Sequence, residues 1–381
     1  MIFPDYDRSS LSLTSSAVRY FGGSCAYPTL REIDEKLAEG GISKIVIVLC
    51  DGMGEYLLKR HLPETSFLRT HDRAAVSAVY PSTTTAATTS IWTGLSPLEH
   101  GWLGWSLYFK SCARQLDVFS GMESHLGDRF PGGSPAPKLM PLPPALGSPE
   151  GAKTHMIFPF VSYATNGCCQ THTIREFGDM LTCALSLCRE EGPKLICMYT
   201  GEPDHTMHLA GVNAPETKAH FERIDRELSL FASRLPDDAL LIVTADHGLV
   251  DAVEPVIVNE IRSLDECLWM PPSVEPRASA MFVKPWRRAQ FEREFQAVCG
   301  EDFLLISRED ALKNHLLGRG TPHPRTEDFM GDYLACATGS RFIRYDTMEG
   351  KVPSLIGQHA GLTEEEMTVP VILARGGEKS A

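Results

Sequence analysis

The sequence predicts an α/β protein in which a mostly parallel central sheet is flanked by helices. Residues 42–50, 193–200 and 239–245 are nearly continuous apolar runs, rich in β-branched side chains. Such runs are typical of strands that are buried on both faces of a parallel sheet. Helical patterns lie between them, and 43% of the 381 residues are hydrophobic, which is enough for a large core.

The elements of the first two thirds follow in order. A partly ordered lead-in, with a helix over 30–38, precedes the strand at 42–50 and a helix at 55–61. A strand at 74–80 runs into a threonine-rich segment and a helix that stops at Gly94. Residues 121–151 are rich in Gly and Pro and predict a long loop, either a lid or a passive connector. A helix at 175–191 and an amphipathic helix at 215–235 lie among the remaining strands.

The pattern changes at about residue 272, where shorter elements alternate. We predict strands at 279–284, 303–307, 334–338 and 341–345, with helices at 288–298 and 308–317. These elements indicate a small α/β cap inserted at 272–346 into a core domain made of 1–271 and 347–381. A strand at 369–374 closes the core sheet.

Charge and composition limit the partners. The net charge of −13 argues against a nucleic-acid-binding groove. No apolar run is long enough to span a membrane, and the first residues lack the pattern of a signal peptide. The 11 cysteines show no regular disulfide or zinc-knuckle spacing. We therefore expect a cytoplasmic protein that binds neither nucleic-acid polymers nor membranes, with a homodimer as the assembly to consider.

Potential metal ligands follow the predicted strands. They are three carboxylates and three imidazoles: Asp51, Asp204, His208, Asp246, His247 and His359. Alone, each has a structural explanation, such as a helix N-cap, a turn or a hydrogen-bonded histidine. Together, at strand ends, they are what two Zn²⁺ ions need, at about three protein ligands each. Mixed carboxylate and imidazole ligands also suit Mn²⁺ or Fe.

A run of hydroxyls precedes the helix that stops at Gly94. A hydroxyl at a helix N-terminus is either a cap or a nucleophile, because the free N–H groups there favour an anion. A metal ion beside the hydroxyl would lower its pKa and activate it without a separate base. The metal-type ligands elsewhere in the chain favour the nucleophile.

Several motifs together resemble the alkaline phosphatase superfamily, and within it the type I phosphodiesterase/nucleotide pyrophosphatase branch. They are Pro81-x-x-Thr84, Thr93-Gly-Leu, Pro97-x-x-His-Gly, Glu-Pro-Asp204-x-x-x-His208, Asp246-His-Gly and Gly-Gln-His359. The resemblance covers about residues 43–105, 194–250 and 355–375. It implies that Thr84 is the nucleophile, with Thr83 and Thr85 as fallbacks.

The same resemblance assigns the ligands to two ions. It implies that Asp204, His208 and His359 hold one zinc, and that Asp51, Asp246 and His247 hold the other, which also contacts Thr84. The family usually has Phe and Asn where this chain has Thr85 and Ala87. Trp102, Trp105, Tyr163 and Asn166 are candidates to replace them in the substrate pocket.

The predicted function is hydrolysis of phosphodiester or pyrophosphate bonds by a two-zinc enzyme, through a covalent phosphothreonine. The substrate would be a small phosphorylated metabolite or a nucleotide. A phosphate monoesterase or a phosphonate C–P hydrolase would use the same two-metal site, and cations near it, such as Lys110 or Arg114, would favour it. A non-catalytic binding protein that keeps the metals is the third alternative.

Overall fold

The computed structural model describes residues 1–125, 127–142, 149, 151–160, 169–346 and 355–377. The strands are β1 (Lys44–Cys50), β2 (Asp72–Ser77), β3 (Ser106–Phe109), β4 (Arg114–Asp117), β5 (Lys153–Phe158), β6 (Gln170–Thr173), β7 (Lys194–Thr200), β8 (Ala239–Thr244), β9 (Val250–Asp251), β10 (Pro255–Ile257), β11 (Ser273–Glu275), β12 (Ala278–Met281), β13 (Phe303–Ser307), β14 (Tyr333–Ala337), β15 (Phe342–Arg344), β16 (Gly357–Gln358) and β17 (Thr368–Arg375).

The α-helices are α1 (Ser10–Tyr20), α2 (Arg31–Ala38), α3 (Glu55–His61), α4 (Phe67–Thr70), α5 (Thr84–Thr93), α6 (Pro97–His100), α7 (Ala136–Leu139), α8 (Phe177–Arg189), α9 (Asp204–Ala210), α10 (Pro215–Ala232), α11 (Arg262–Asp265), α12 (Arg288–Cys299), α13 (Arg308–Lys313), α14 (Thr326–Met330) and α15 (Glu364–Met367). Short 3₁₀ helices cover Val258–Glu260 and Pro285–Arg287. Among the helices in the described part of the chain, none combines the length and the apolarity that crossing a bilayer requires.

The central sheet confirms the predicted fold class. Within the described residues its order is β2-β17-β8-β1-β7-β5-β6. Neighbours from β8 to β6 are parallel, whereas β17 is antiparallel to both β8 and β2. Every residue of β1, β7 and β8 is buried, which explains why these strands lack the alternation of a half-exposed sheet.

This topology brings the ends of three strands together. Because β8, β1 and β7 are adjacent and parallel, their carboxyl ends lie at one edge of the sheet, where α/β proteins place their ligands. The amino end of β17 reaches the same edge, since that strand runs the other way. The segments that carry Asp51, Asp204, Asp246 and His359 therefore converge.

A second, antiparallel sheet has the order β13-β14-β12-β11-β3-β4 within the described residues. Most of its strands come from the region predicted as a cap insert, but β3 and β4 precede that region by more than 150 residues. Val274 in β11 pairs with Ser106 in β3 and joins the two parts. The domain boundaries at 271 and 346 stay a prediction, and the second sheet extends beyond them.

The first 42 residues differ from the expected lead-in. Helix α1 is buried along most of its length, although its sequence is rich in serine, which favours caps over helix interiors. Leu11, Leu13, Ala17 and Val18 are fully buried and supply the packing that overrides this weak propensity.

The hairpin β3–β4 and the strands β5 and β6 were also absent from the sequence prediction.

A buried ion pair joins the second sheet to α15, the short helix before β17. Arg277 and Glu366 are both fully buried, and two guanidinium nitrogens donate to the two carboxylate oxygens at 2.7 Å. The same carboxylate accepts from the Gly361 N–H at 2.8 Å and from the Thr363 hydroxyl at 2.7 Å. Since Gly361 lies two residues after His359, the pair holds the loop that carries this histidine.

We expect Glu366→Gln to lower the free energy of unfolding by about 3–5 kcal/mol, because it leaves the Arg277 charge buried without its counter-charge. The measurement is guanidinium unfolding with a chelator present, so that bound metal does not contribute. Glu266→Gln is the matched control, since its ion pair with Arg262 is exposed and is worth about 0–1 kcal/mol. Equal losses in the two variants would contradict this role of the pair.

Candidate metal centre

Two overlapping groups of potential ligands lie at the carboxyl edge of the central sheet. One group is Asp51, Asp246 and His247, and the other is Asp204, His247 and His359. In each group the ligand atoms lie within 4.8 Å of one another, and all five residues are buried. The first group is the set that the family resemblance assigned to one ion. The second contains His247 where His208 was expected.

His208 lies beside the second group. Its Nε2 is 3.2 Å from Asp204 Oδ2, and its ring centroid is 5.2 Å from that of His359. Its Nδ1 faces the Gly357 carbonyl oxygen at 2.7 Å, which leaves Nε2 toward the carboxylate. Burial lowers the pKa of His208, but the hydrogen bond and charge of Asp204 outweigh it, and the net pKa is raised.

Within the threonine-rich segment, Thr84 is the residue whose hydroxyl lies beside these groups of ligands. It is the first residue of α5, and its Oγ1 lies 3.2 Å from His247 Nε2 and 3.4 and 3.5 Å from the Asp51 carboxylate oxygens. The two fallback residues are placed differently. Thr83 Oγ1 donates to Glu275 Oε1 at 2.7 Å, and the Thr85 side chain is fully buried.

Local contacts orient the carboxylates. The N–H groups of Gly52 and His247 donate to Asp246 Oδ1 at 3.1 and 3.0 Å, and the Tyr199 hydroxyl donates to Asp51 Oδ2. Sequence reasoning missed Tyr199. The pairing register of β1 and β7 could have indicated it. Tyr199 lies opposite Leu49, and Leu49 is two residues before Asp51.

The glycine of the Asp-His-Gly motif is required by packing. A Cβ at Gly248 would overlap the carbonyl oxygen of Glu365 and would crowd Gly54. The Gly248 N–H also donates to the Glu366 carbonyl oxygen at 2.9 Å. The motif therefore packs its backbone directly against the segment that follows His359.

The electrostatics of the cluster fit divalent cations. Burial, followed by the charges of Asp246 and Asp204, raises the pKa of Asp51 well above its usual value. Among the described residues, Asp204 Oδ1 and Asp246 Oδ2 are buried and have no hydrogen-bond partner. Buried carboxylates without a partner are costly, and a bound cation would complete them. Mixed carboxylate and imidazole donors suit Zn²⁺, Mn²⁺ or Fe.

His359 fits the role of a neutral imidazole ligand. Burial, and then the nearby His247 and His208, lower its pKa well below the usual value. Its ring stacks on that of His247 with centroids 3.9 Å apart. Neutral imidazole is the form in which histidine binds metals.

The four residues predicted for the substrate pocket do not share one environment. Trp102 is buried and its Nε1 donates to the Met140 carbonyl oxygen at 3.0 Å, so it has no face to offer a substrate. Trp105 is 46% exposed and packs edge-on against Phe119. Tyr163 and Asn166 lie outside the described residues.

Glu275 is a residue near the site that sequence reasoning missed. Its Oε1 accepts hydrogen bonds from Thr83 Oγ1 and from the Trp105 N–H, both at 2.7 Å. Burial raises the pKa of Glu275 to about 7, although these hydrogen bonds act in the opposite direction. Nothing in the sequence pointed to it, because it lies in the second sheet, far along the chain from Thr84.

His100, from the Pro-x-x-His-Gly motif, has a packing role near the nucleophile segment. Its Nδ1 accepts from the Trp102 N–H at 3.0 Å, and its Nε2 lies 3.0 Å from the Ser90 hydroxyl in α5. Burial lowers the pKa of His100 to about 3. The ring is thus neutral in the folded protein and connects α6 to α5.

This shift predicts acid sensitivity. The unfolded chain takes up a proton on His100 below about pH 6.5 and the folded protein does not, so stability falls by about 1.4 kcal/mol per pH unit below that value, until pH approaches 3. The measurement is the free energy of unfolding of the metal-free protein at pH 7.5, 6.0 and 5.0, compared with His100→Asn. The variant should lack this part of the slope. Parallel pH dependences of the two proteins would contradict the assignment.

Known proteins resemble this chain in sequence and in fold. Residues 45–136 and 154–330 match the family described as type I phosphodiesterase / nucleotide pyrophosphatase. Ectonucleotide pyrophosphatase/phosphodiesterase family member 7 of Homo sapiens is 37% identical over 65 residues, which are 16% of this chain and 14% of that protein. The chain therefore matches only a small part of the length of this curated relative.

Solved structures match over most of the chain. Murine ectonucleotide pyrophosphatase / phosphodiesterase 5, as an inactive threonine-to-alanine variant in complex with AMP, has a TM-score of 0.63 and 17% identity, and the match covers 88% of both chains. Phosphonoacetate hydrolase from Sinorhizobium meliloti in complex with phosphonoformate has a TM-score of 0.63 and 17% identity, and covers 88% of this chain and 90% of that one. At these identities the likeness shows the fold.

Proposed function

Because the chain belongs to the type I phosphodiesterase / nucleotide pyrophosphatase family, we propose that it hydrolyses phosphodiester or pyrophosphate bonds with two metal ions and a phospho-Thr84 intermediate. The observation that carries the proposal is the position of Thr84 Oγ1, 3.2 Å from His247 Nε2 and 3.4 Å from Asp51 Oδ2. A hydroxyl so close to a group of buried metal-type ligands is placed to attack a phosphoryl group bound there.

Each ion has a candidate set of ligands. Asp51, Asp246 and His247 would hold one, and Asp204, His359 and either His208 or His247 the other. Two Zn²⁺ ions, or Mn²⁺ or Fe in their place, would supply Lewis acidity that lowers the pKa of the hydroxyl and offsets phosphoryl charge. Thr84 Oγ1, after losing its proton to solvent, would form a bond to phosphorus as the bond to the leaving oxygen breaks, and water would later cleave the phosphothreonine. Two displacements give retention at phosphorus.

The N-terminus of α5 would bind the phosphoryl oxygens. Among the described residues, the N–H groups of Thr84, Thr85 and Ala86 have no hydrogen-bond partner, and the first main-chain bond of the helix runs from the Ala87 N–H to the Thr83 carbonyl oxygen at 2.9 Å. Such free N–H groups favour an anion. These N–H groups would donate to the phosphoryl oxygens. The family usually adds a further donor from an Asn, at the position where this chain has Ala87.

The substrate would be a small phosphorylated metabolite or a nucleotide. Trp105 favours a substrate with a planar group attached to phosphorus, because its indole is exposed. Its backbone N–H and the Thr83 hydroxyl donate to the same oxygen of Glu275. A cytoplasmic location and a homodimer stay predictions.

The alternatives use the same site with other substrates. A phosphate monoester or a phosphonate carries more charge, and cations near the site would favour it. Lys110 Nζ lies 3.4 Å from Asp328 Oδ1, and Arg114 Nε lies 3.4 Å from Glu123 Oε1. Because these two cations already have carboxylate partners, they give a dianion less support, and the diester stays the favoured substrate.

A substrate panel tests the proposal. The purified protein is assayed with bis-p-nitrophenyl phosphate, p-nitrophenyl phosphate and phosphonoacetate, with and without added Zn²⁺. We expect the highest kcat/KM with the diester and dependence on metal. Faster turnover of the monoester or of the phosphonate would favour the corresponding alternative. No turnover of any substrate by protein with both ions bound would contradict an enzyme and favour a binding protein.

A further inference from the structure

We propose that Glu275 is a positioning residue for the reaction: it holds the Thr83 hydroxyl away from the N-terminus of α5 and so leaves that terminus open to the phosphoryl group. The inference rests on the proposed function, because it assigns a role within the same site. Three features carry it: the conformation of Thr83, the unpaired N–H groups of α5, and the contacts of the Glu275 carboxylate.

The first feature is a helix cap that is not made. Thr83 is the N-cap residue of α5, with φ −136° and ψ 149°. A threonine at this position usually turns its hydroxyl back, to accept a hydrogen bond from the second or third N–H of the helix. Thr83 forms no such bond. Its Oγ1 instead donates to Glu275 Oε1 at 2.7 Å.

The second feature is the set of donors that this leaves free. In the capping conformation, the Thr83 hydroxyl would occupy the N–H of Thr85 or Ala86. Within the described part of the chain, those N–H groups and that of Thr84 have no partner. A phosphoryl group attacked by Thr84 needs these donors, so a capping Thr83 hydroxyl would compete with the substrate.

The third feature is the fixed position of the carboxylate. Glu275 ends β11, and the residue before it, Val274, has a positive φ of 77°, which L residues rarely adopt. Glu275 Oε1 also accepts from the Trp105 N–H at 2.7 Å, and the Glu275 carbonyl oxygen accepts from the Ser279 hydroxyl at 2.7 Å. The oxygen that binds Thr83 is therefore held by the second sheet and by the segment after α6.

A purely structural explanation is that Glu275 ties the second sheet to α5 and has no effect on the donors. The two explanations differ in what the Thr83 hydroxyl does once Glu275 is removed. If Glu275 restrains that hydroxyl, its loss is harmful only while the hydroxyl is present. If Glu275 only connects the second sheet to α5, its loss lowers kcat equally whether or not the Thr83 hydroxyl is present.

The test is a double-mutant cycle of Glu275→Ala and Thr83→Val, measured as kcat and KM for bis-p-nitrophenyl phosphate and as the inhibition constant of orthovanadate. We expect Glu275→Ala alone to lower kcat by about 100-fold, the scale for losing one donor to a developing oxyanion, with little change in KM. In the Thr83→Val background the hydroxyl is gone, so the same substitution should change kcat by no more than about 2-fold, the scatter expected between changes that do not interact. The inhibition constant of orthovanadate should rise in the variants in which kcat falls and stay unchanged in the others.

Glu275→Gln is the conservative variant. Its amide oxygen still accepts from the Thr83 hydroxyl, so it should keep kcat within about 3-fold of the parent, the scale of one weakened hydrogen bond. The melting temperature of each metal-free variant shows whether the fold is kept.

Equal losses of kcat from Glu275→Ala in both backgrounds, or no loss in either, would overturn the role of Glu275. Failure of the proposed function would be seen elsewhere, as absence of turnover by the parent protein or full activity of Thr84→Val.

Discussion

Replacing Thr84 by valine should lower kcat for diester hydrolysis by at least about 10⁴-fold, the scale on which enzymes lose activity with their nucleophile. Valine keeps the β-branched shape and removes only the atom that would form the bond to phosphorus. The hydroxyl lies at the N-terminus of α5 and faces Asp51 and His247, so no other described threonine of the run is placed to replace it. The measurement is single-turnover and steady-state kinetics with bis-p-nitrophenyl phosphate.

Controls separate chemistry from folding. Thr93→Val makes the same change at the other end of α5, where the hydroxyl donates to the Thr89 carbonyl oxygen at 2.7 Å, and should leave kcat largely intact. Metal content measured by mass spectrometry should be the same in the parent and in Thr84→Val. If Thr84→Val keeps its activity while Thr83→Val or Thr85→Val loses it, the nucleophile lies one residue away and our assignment is wrong.

Asp246→Asn should remove one metal ion and nearly all activity. Its carboxylate is fully buried, and Oδ1 is already occupied by the Gly52 and His247 N–H groups, which leaves Oδ2 to a cation. An amide has no charge to offer at that position. We expect kcat to fall by more than about 10²-fold, beyond the 10–100-fold typical of residues that only orient ligands.

Metal removal should also lower stability. An ion that binds only the folded protein stabilises it by about 2.7 kcal/mol per site at a concentration 100 times its dissociation constant. The parent protein should therefore unfold at lower denaturant after dialysis against a chelator, and Zn²⁺ should restore both stability and activity. The control Asp225→Asn changes a partly buried carboxylate away from the site, one that accepts from the Leu68 N–H, and should keep both ions. Unchanged metal content in Asp246→Asn would contradict the proposed ligand.

The central sheet and the gathering of the candidate ligands at its edge were predictable because both depend on short stretches of sequence. Continuous burial gave β1, β7 and β8 an apolar signature, and each of these strands is followed closely by a polar residue of the site. Parallel neighbours then bring those residues to one edge without further information. The grouping of the histidines was less predictable, since whether His247 or His208 lies nearer to Asp204 and His359 depends on side-chain directions.

The second sheet and its contribution to the site were not predictable in the same way. Strands β3 and β4 are short, and β3 pairs with β11 through Val274, more than 150 residues away. No local pattern reports such a pairing. Glu275 reaches Thr83 only because of this pairing, and no motif in the sequence points to it. Helix α1 was missed for a related reason, because tertiary burial overrides its weak propensity.

The most direct test of the two-metal account is anomalous diffraction from crystals grown with Zn²⁺ and vanadate. We expect two anomalous peaks at the carboxyl edge of the central sheet, one beside Asp51, Asp246 and His247 and the other beside Asp204 and His359. Vanadate should lie between them, within bonding distance of Thr84 Oγ1. A single peak, or two peaks with vanadate bound away from Thr84, would contradict the account.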